Sequence, residues 1–584
     1  MKRFMMIIGF AVSLALPVVA ADEDEVKKAL AQDVVLRALV DELERGQVGL
    51  ELEDLARPYF IEYALNDSIS VSYSAVLGAV TSRSDDRRRW LRTEVRVGSY
   101  ELDNTNFRGD GWGWYGGMFA MMGGAGVPLE DDYNAIRQAI WLQTDGKYKE
   151  VAENLVKKKA FMESKHIEDK PSDFSREEPA THFDAKLDLK LDDGRLEALS
   201  VRLSEVFRRH PDVQTSGVDI HGGGANKYLV NTEGTRLRVA DGRFSVSVNA
   251  TVQAEDGMKL SDSFTVYARR QDELPDEEEL VKRCTDMVQG LLALRAAPKL
   301  ESYTGPVLFD KEAAASLFLT RFADKFAGGQ RAVGGRTPPD DFEKKIGKRI
   351  LPRWMNVVDD PTQREIDGEP VMGHYAYDEQ GVPARPVQVV EDGRLKRQLM
   401  SRNPSKVADR STGHGRGTYG PRASVGCLLV EAADGLDTDA LTRELIEACQ
   451  DEDLEFGIRI ASFGSGGGGR YSQYYSRYDF SGFGGFGGPG GSSTPLAMYK
   501  VYPDGHEELV RGAEIASFDI KAFKRMLAAG KERHVLNTGG SVGRTVVAPA
   551  MLFEELDLAK IDRDFDKPPI LESPLVRTEE EAVD

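Results

Sequence analysis

The pattern of apolar and polar positions along the chain predicts both helices and strands. Apolar residues recur at helical spacing over residues 25–60, 131–165 and 276–295, and around "LEALSVRLSEVFRRH". A further helix is predicted within "SLFLTRFADKFAGGQ", residues 316–330, where the apolar positions end at a glycine pair. Between these segments, stretches such as "SISVSYSAVLGAVTS" alternate apolar and polar residues as strands do.

The chain beyond residue 300 is dominated by strand patterns. Asp392-Gly393 and Asp504-Gly505 each separate two alternating segments and are predicted as tight hairpin turns. The segment "RAAPKLESYTGP" is typical of a domain boundary near residue 300. The predicted fold class is therefore α+β, with a mixed α/β N-terminal domain and a β-rich C-terminal domain.

The same patterns divide the chain into four parts. They are residues 1–20, 21–184, 185–300 and 301–584. The last part contains residues 464–493, a low-complexity Gly/Ser/Tyr segment that cannot bury much apolar surface. A mobile loop is the simpler interpretation of this segment, and contact with a partner or an envelope surface is the alternative.

The first twenty residues have the features of a secretory signal peptide. Lys2 and Arg3 precede an apolar run, and the small residues Val18 and Ala20 stand before the expected cleavage site. An uncleaved membrane anchor is the alternative, but the run is short for a span and no second span follows. We therefore expect a periplasmic or secreted protein whose mature chain has no transmembrane span.

Composition adds a limit on the partners. Of the 584 residues, 41% are hydrophobic and 29% charged, and the formal net charge is -20. Nucleic-acid binding draws mainly on patches of Lys and Arg, so this charge argues against nucleic acid as a partner.

The three cysteines allow at most one disulfide. Cys284 and Cys449 lie in helical patterns and are predicted core residues. Cys427 follows His414 closely enough for a Cys–His nucleophilic pair to be considered. No third orienting group is visible, so we favour a surface histidine in a Gly-rich loop, followed by a strand with a small buried cysteine.

Other candidate sites in the sequence are weak. No two of the eight histidines lie within five residues of each other, so a helix with two imidazoles one turn apart is absent. The segment "HGGGANKYLV", which starts at His221, lacks the ending of a phosphate-binding loop and is predicted to be a turn. The pair Asp359-Asp360 is not distinctive in so acidic a chain.

Several segments, taken in order, resemble one protein family. They are "KYLVNTEGTRLRV", "GPVLFDKEAAASLFLTRFADKFAGG", "GHYAYDEQGVPARPVQVVEDGRLKRQLMSR", "STGHGRGTYGPRASVGC" and "VVAPAMLFEELDL". Together they resemble the TldD/PmbA family, also called modulator of DNA gyrase or peptidase U62. The resemblance runs from about residue 185 to 575 and rests on the order of the blocks.

The resemblance implies a particular candidate site. Active subunits of the family are zinc metallopeptidases whose ligands include an HExxxH motif on the helix after the "PVLF"-like strand, together with a cysteine near the C-terminus. In this chain the first His position is Thr320, the Glu position is Arg321 and the second His position is Lys325. No cysteine stands in the C-terminal segment, where His534 is the one candidate ligand. The resemblance thus implies no catalytic residue, metal ligand or cofactor at this helix.

The expected function follows from these missing ligands. The chain resembles family subunits that lack the metal motif and pair with a subunit that has it. We expect a non-catalytic partner subunit or peptide-binding protein of a proteolytic complex, as a homodimer or as a heterodimer with another family subunit. An active peptidase acting on peptides or unfolded proteins and a structural envelope protein are the alternatives. The gyrase name does not imply DNA binding here.

Overall fold

The computed structural model describes residues 23–51, 56–108, 124–188, 191, 193–335, 342–464, 494–540, 542–562 and 564–576. The predicted signal peptide and residues 465–493 of the Gly/Ser/Tyr segment lie outside these residues. Across the described ranges, no helix is both long and apolar enough to cross a membrane.

Eight α-helices occur in the described part of the chain. They are α1 (Glu23–Gln32), α2 (Val34–Gly49), α3 (Tyr133–Ser164), α4 (Asp193–Glu205), α5 (Glu277–Ala296), α6 (Lys311–Phe326), α7 (Thr438–Asp451) and α8 (Ile520–Phe523). The helix predicted over residues 25–60 is therefore too long. It divides at Asp33, whose side chain caps α2, and a strand has begun by residue 58.

A seven-stranded sheet, here called the N-terminal sheet, contains the strands before residue 300. They are β1 (Pro58–Val76), β2 (Ala79–Val97), β3 (Gly124–Gly126), β4 (Thr181–Phe183), β5 (Val213–Asn231), β6 (Arg236–Gln253) and β7 (Lys259–Ala268). The strand order is β3-β2-β1-β5-β6-β4, and β7 also pairs with β6. All pairs are antiparallel except β4 with β6. Strands from both sides of residue 184 thus share one sheet, while the predicted domain boundaries stay predictions.

The C-terminal half forms an eleven-stranded mixed sheet. Its main path contains β8 (Tyr303–Phe309), β9 (Met355–Asp359), β12 (Val387–Glu391), β13 (Arg394–Leu395), β16 (Cys427–Ala432), β17 (Gly457–Phe463), β18 (Pro495–Val501), β19 (Glu507–Val510) and β22 (Arg544–Lys560). Strands β20 (Ala513–Ser517) and β21 (Met526–Thr538) both pair with β22. Two small hairpins are formed by β10 (Glu365–Ile366) with β11 (Glu369–Pro370) and by β14 (Gly415–Arg416) with β15 (Arg422–Ala423).

Both predicted hairpins are present in this half. Asp392-Gly393 joins β12 to β13 with positive φ angles of 48° and 69°, as a two-residue turn of this kind requires. Asp504-Gly505 lies in a longer loop between β18 and β19. Turn chemistry predicted both positions correctly.

The two faces of the N-terminal sheet differ in character. Helices α2, α3, α4 and α5 pack on one face, against apolar residues such as Tyr63, Val71 and Tyr73 of β1. Residues directly opposite each other in an antiparallel pair lie on the same face of the sheet. The strand register therefore identifies the residues on the face opposite the helices. We call that other face the polar face. Its polar stretch in β1 and β6 is formed by Ser68, Ser70, Ser72, Ser74, Ser245, Ser247, Asn249 and Thr251.

The prediction of a turn at "HGGGAN" is wrong, because these glycines lie inside the long strand β5. A Cβ atom on Gly223 would come within 2.6 Å of the Ile69 carbonyl oxygen of β1. One on Gly222 would come within 2.8 Å of the Phe244 ring of β6. The glycines therefore permit close contact with both neighbouring strands rather than a change of chain direction.

Candidate functional site

Helix α6, which carries the three predicted site positions, is held by a large apolar core. It follows β8 directly and begins after Asp310. Phe318, Phe322 and Phe326 are fully buried, and their rings stack along the helix with centroid separations of 4.6 and 5.3 Å. Phe523 of α8 packs edge-on against Phe322 at 4.7 Å. This aromatic packing fixes the helix and so fixes where its polar side chains point.

The three positions on α6 have different environments. The Thr320 hydroxyl is exposed and donates to the carbonyl oxygens of Ser316 and Leu317, at 3.1 and 3.0 Å. The Arg321 side chain is half-buried, and its guanidinium lies 5.5 Å from the centroid of the Phe518 ring. Lys325 is exposed. Thr320 and Lys325 are thus on the surface of the helix, whereas Arg321 reaches the edge of the aromatic core at Phe518.

His534 lies on β21, and strand contacts place it along α6. Glu532, two residues earlier, is 3.1 Å from Lys311 at the start of the helix. Thr320 is nine residues further along, roughly 14 Å up the helix axis. Burial, with a smaller effect of Lys311, lowers the pKa of His534. His534 therefore lies on a strand that runs along α6, two residues beyond the contact with Lys311.

These residues do not fit a zinc ion. A catalytic zinc site takes lone-pair donors from about three side chains, and charged Arg and Lys have none to give. The threonine oxygen is a poor ligand, and its proton is already donated within the helix. Within the part of the chain that the structure describes, no group of three or more His, Cys, Asp or Glu side chains could hold a metal ion. No step of a zinc mechanism is assigned to this helix.

The expectation of a surface histidine at position 414 is wrong. His414 is completely buried, and its Nε2 lies 3.1 Å from Oδ1 of Asp359, which is also completely buried. The Nδ1 atom lies 2.9 Å from the Thr412 carbonyl oxygen. Asp359 also accepts hydrogen bonds from the backbone N–H groups of Gly426 and Cys427. The pair connects the end of β9, the loop at 412–414 and the start of β16.

All three cysteines are free and buried, as predicted for residues in helix and strand cores. Burial raises the pKa of the Cys427 thiol well above its ordinary value, and the neighbouring carboxylates of Asp359 and Asp360 add to the effect. A thiol whose ionisation is disfavoured is a poor nucleophile. The arrangement of His414, Asp359 and Cys427 is therefore structural.

Glu233, in the turn between β5 and β6, makes a buried ion pair that sequence reasoning did not identify. Arg402, from the second half of the chain, is 1% exposed and binds Glu233 through two contacts, of 2.7 and 2.8 Å. The Tyr100 hydroxyl donates to the same carboxylate at 2.7 Å. The turn of the N-terminal sheet is thus tied to the C-terminal half. The sequence block "KYLVNTEGTRLRV" contains this turn, but no signal in the sequence identified Arg402 as the partner of Glu233.

A second polar contact joins the two halves at His374. The Nδ1 atom of His374 lies 2.8 Å from the Pro361 carbonyl oxygen, and Arg269 of the N-terminal half donates to the His374 carbonyl at 3.2 Å. Burial, followed by the positive charge of Arg269, lowers the pKa of His374 to about 4. This histidine is neutral at pH 7.

Comparison with known proteins shows the fold and one matched family domain. Residues 302–452 match the family described as the PmbA/TldA metallopeptidase C-terminal domain. A protein described as a metalloprotease, from Methanothermobacter thermautotrophicus, is 27% identical over 207 residues, which are 34% of this chain. That match spans 41% of the relative's own length.

Two solved structures are similar over most of the chain. TldE from Thermococcus kodakarensis aligns with a TM-score of 0.56 and 16% identity, and the alignment covers 89% of this chain and 100% of TldE. A Thermotoga maritima protein described as a modulator of DNA gyrase aligns with a TM-score of 0.54 and 15% identity, over 86% of this chain and 96% of its own. The family match covers residues 302–452, and the two structures show that the chain has the fold of these TldE and gyrase-modulator proteins.

Proposed function

We propose that this chain is an exported, non-catalytic subunit of the TldD/PmbA type. It either binds peptides or pairs with a second subunit that carries the HExxxH motif. The observation that carries the proposal is the set of side chains on α6. Thr320, Arg321 and Lys325 stand at the positions of the HExxxH motif, and two of them are cations that repel a metal dication. Arg321 also cannot act as a general base, because its guanidinium stays protonated.

The structural similarity supports a subunit role. TldE is the name of one of the similar solved structures, and the similarity covers that whole chain. At 16% identity this similarity concerns the fold, so the pairing itself is part of the proposal. The periplasmic or secreted location rests on the first twenty residues of the sequence.

The test combines metal analysis with a peptidase assay on the purified chain. We expect much less than one zinc per chain by mass spectrometry, and no hydrolysis of unstructured peptides such as casein fragments. About one zinc per chain, together with hydrolysis that a chelator abolishes, would contradict the proposal and favour an active peptidase. A His534→Ala variant would show whether His534 contributes to any such activity.

Partnership has its own measurement. If the chain is a partner subunit, affinity purification from the native envelope fraction should recover a second family member that carries the HExxxH motif. Peptide hydrolysis should then appear in the complex and not in the isolated chain. Recovery of the chain as a homodimer that binds peptide would favour the peptide-binding form of the proposal.

A further inference from the structure

Two cations on α6 have no ion-pair partner among the described residues. Arg321 and Lys325 are one helical turn apart and therefore lie on neighbouring parts of the helix surface. The nearest acidic residue in the sequence, Asp324, is bound to Arg544 at 3.2 Å. The two positive charges are thus left available on the outer part of the helix.

The guanidinium of Arg321 is arranged to accept a planar anion. Its Nε atom is buried and has no hydrogen-bond partner in the described part of the chain. The Phe518 ring lies 5.5 Å away and supports the guanidinium by a cation–π contact. Because Nε is shielded from solvent, a ligand would meet the two terminal nitrogen atoms of the guanidinium, and a carboxylate binds such a pair through two parallel hydrogen bonds. Lys325 would add a second positive charge one turn away.

The helix lies beside the N-terminal sheet, which gives a surface for the rest of a ligand. Near its start, Glu312 is close enough to Asp262 of β7 for the two carboxylates to interact. Near its end, the turn after β21 contacts the N-terminal sheet, where Arg243 donates to the Gly540 carbonyl and Tyr267 lies against Gly539.

The strand beside this helix offers hydroxyl groups. Ser263 and Thr265 of β7 are exposed and lie on the same face as Tyr267, by the alternation of the strand. Thr265 also shares a hydrogen bond of 3.0 Å with Ser247 of the polar face. These hydroxyl groups follow Asp262 along β7, at the Glu312 end of α6.

We propose that Arg321, assisted by Lys325, binds a carboxylate of an extended peptide. The carboxylate is either the free C-terminus or the side chain of an Asp or Glu residue, since both present the same two oxygens. The inference rests on the proposed function, because it assigns a binding role to the helix that in relatives carries zinc. The cations that exclude a metal ion become the groups that hold the ligand.

The test uses fluorescence anisotropy with N-terminally labelled peptides and the full chain. One peptide is tetra-alanine with a free C-terminus, and the second is the same peptide with a C-terminal amide. The third is Ala-Asp-Ala-Ala-amide, which has a carboxylate only in its side chain. We expect at least one carboxylate peptide to bind about tenfold more tightly than the neutral amide. Preference for the free acid identifies the C-terminus, and preference for the third peptide identifies the side chain.

Substitutions on α6 test whether this helix causes the preference for carboxylate peptides. Arg321→Gln should abolish it, and Arg321→Lys should weaken it, because lysine keeps the charge but loses the planar fork. Lys325→Gln should reduce it by a smaller factor. Arg209→Gln is the matched control, since Arg209 is an exposed arginine in the N-terminal half. If Arg321→Gln does not fold, the Arg321→Lys and Lys325→Gln variants decide.

Two outcomes would overturn the inference. One is equal binding of all three peptides by the wild-type chain. The other is an unchanged carboxylate preference in the two conservative variants. Failure here is distinguishable from failure of the proposed function, because zinc content and hydrolysis are measured without these peptides. A metal-free, inactive chain with no carboxylate preference would leave the proposed function standing and remove only this site.

Discussion

The buried contact between His414 and Asp359 gives the sharpest stability prediction. Three of the four hydrogen bonds that reach the Asp359 carboxylate end on Oδ1, from His414 and from the backbone N–H groups of Gly426 and Cys427. Asp359→Ala would leave those three buried donors without their acceptor. Each such donor costs about 1–3 kcal/mol. We therefore expect Asp359→Ala to destabilise this region by at least about 3 kcal/mol.

The assay should report on this region, because a chain with two large sheets need not unfold in one step. Hydrogen–deuterium exchange of peptides from β9 and β16 measures local opening. A loss of about 3 kcal/mol corresponds to exchange roughly 150-fold faster. Asp359→Asn should lose less than the alanine variant, because its amide oxygen can replace Oδ1.

The control is an ion pair on the surface. Asp367 lies 3.0 Å from Arg533, and its side chain is 54% exposed. Asp367→Ala should cost less than about 1 kcal/mol, as is usual for exposed pairs. If exchange in β9 and β16 were no faster in Asp359→Ala than in this control, the assignment of a structural role to the buried pair would be refuted.

Three further predictions concern the contacts between the halves and the glycines. The pKa of His374 is about 4 in the folded chain and higher in the unfolded chain. The contribution of this histidine to the free energy of unfolding is therefore complete above about pH 6.5 and is lost as the pH falls towards 4. His374→Gln should flatten the loss of thermal stability in that interval, by up to about 3 kcal/mol, and an unchanged pH profile would contradict the assignment. Arg402→Ala should lower the free energy of unfolding in urea by about 3–5 kcal/mol, and Glu233→Gln should also lower it. Wild-type stability in both variants would disprove the stabilising role of this ion pair. Gly223→Ala should lower the melting temperature because its Cβ would lie 2.6 Å from a carbonyl oxygen, whereas Gly290→Ala, in an open helical position, should gain up to about 1 kcal/mol.

Local patterns predicted those parts of the fold that local chemistry determines. Helices α3 and α5 were found by their periodicity, and the turn at Asp392-Gly393 by its residue types, which tolerate positive φ angles. The predictions failed where contacts with residues distant in the sequence determine the local structure. Gly222 and Gly223 read as a turn, but they lie in a strand because adjacent strands approach them closely.

Long-range pairing accounts for the features of the candidate site that the sequence did not reveal. His414 looked like a loop histidine because its partner, Asp359, lies 55 residues earlier. Glu233 and Arg402 are 169 residues apart. Single-sequence patterns do not report such pairs, because each residue alone has an ordinary environment along the chain. By contrast, the helix that carries Thr320, Arg321 and Lys325 was predictable from the local pattern, and their match to the HExxxH positions stays a prediction.

On the proposed function, the same helix shows how a fold of this kind can be kept without the zinc donors of the HExxxH motif. The residues that hold α6 in place are the buried phenylalanines, led by Phe318, Phe322 and Phe326. Of the three proposed motif positions, Thr320 and Lys325 are exposed and Arg321 is half-buried beside Phe518. Replacing ligands there costs little packing energy, because surface substitutions away from special features change stability by only about 0.5 kcal/mol. Similarity of fold therefore does not distinguish a zinc-binding member from one without zinc. The donor atoms on this helix make that distinction. The metal measurement and the carboxylate-binding measurement are therefore both directed at α6.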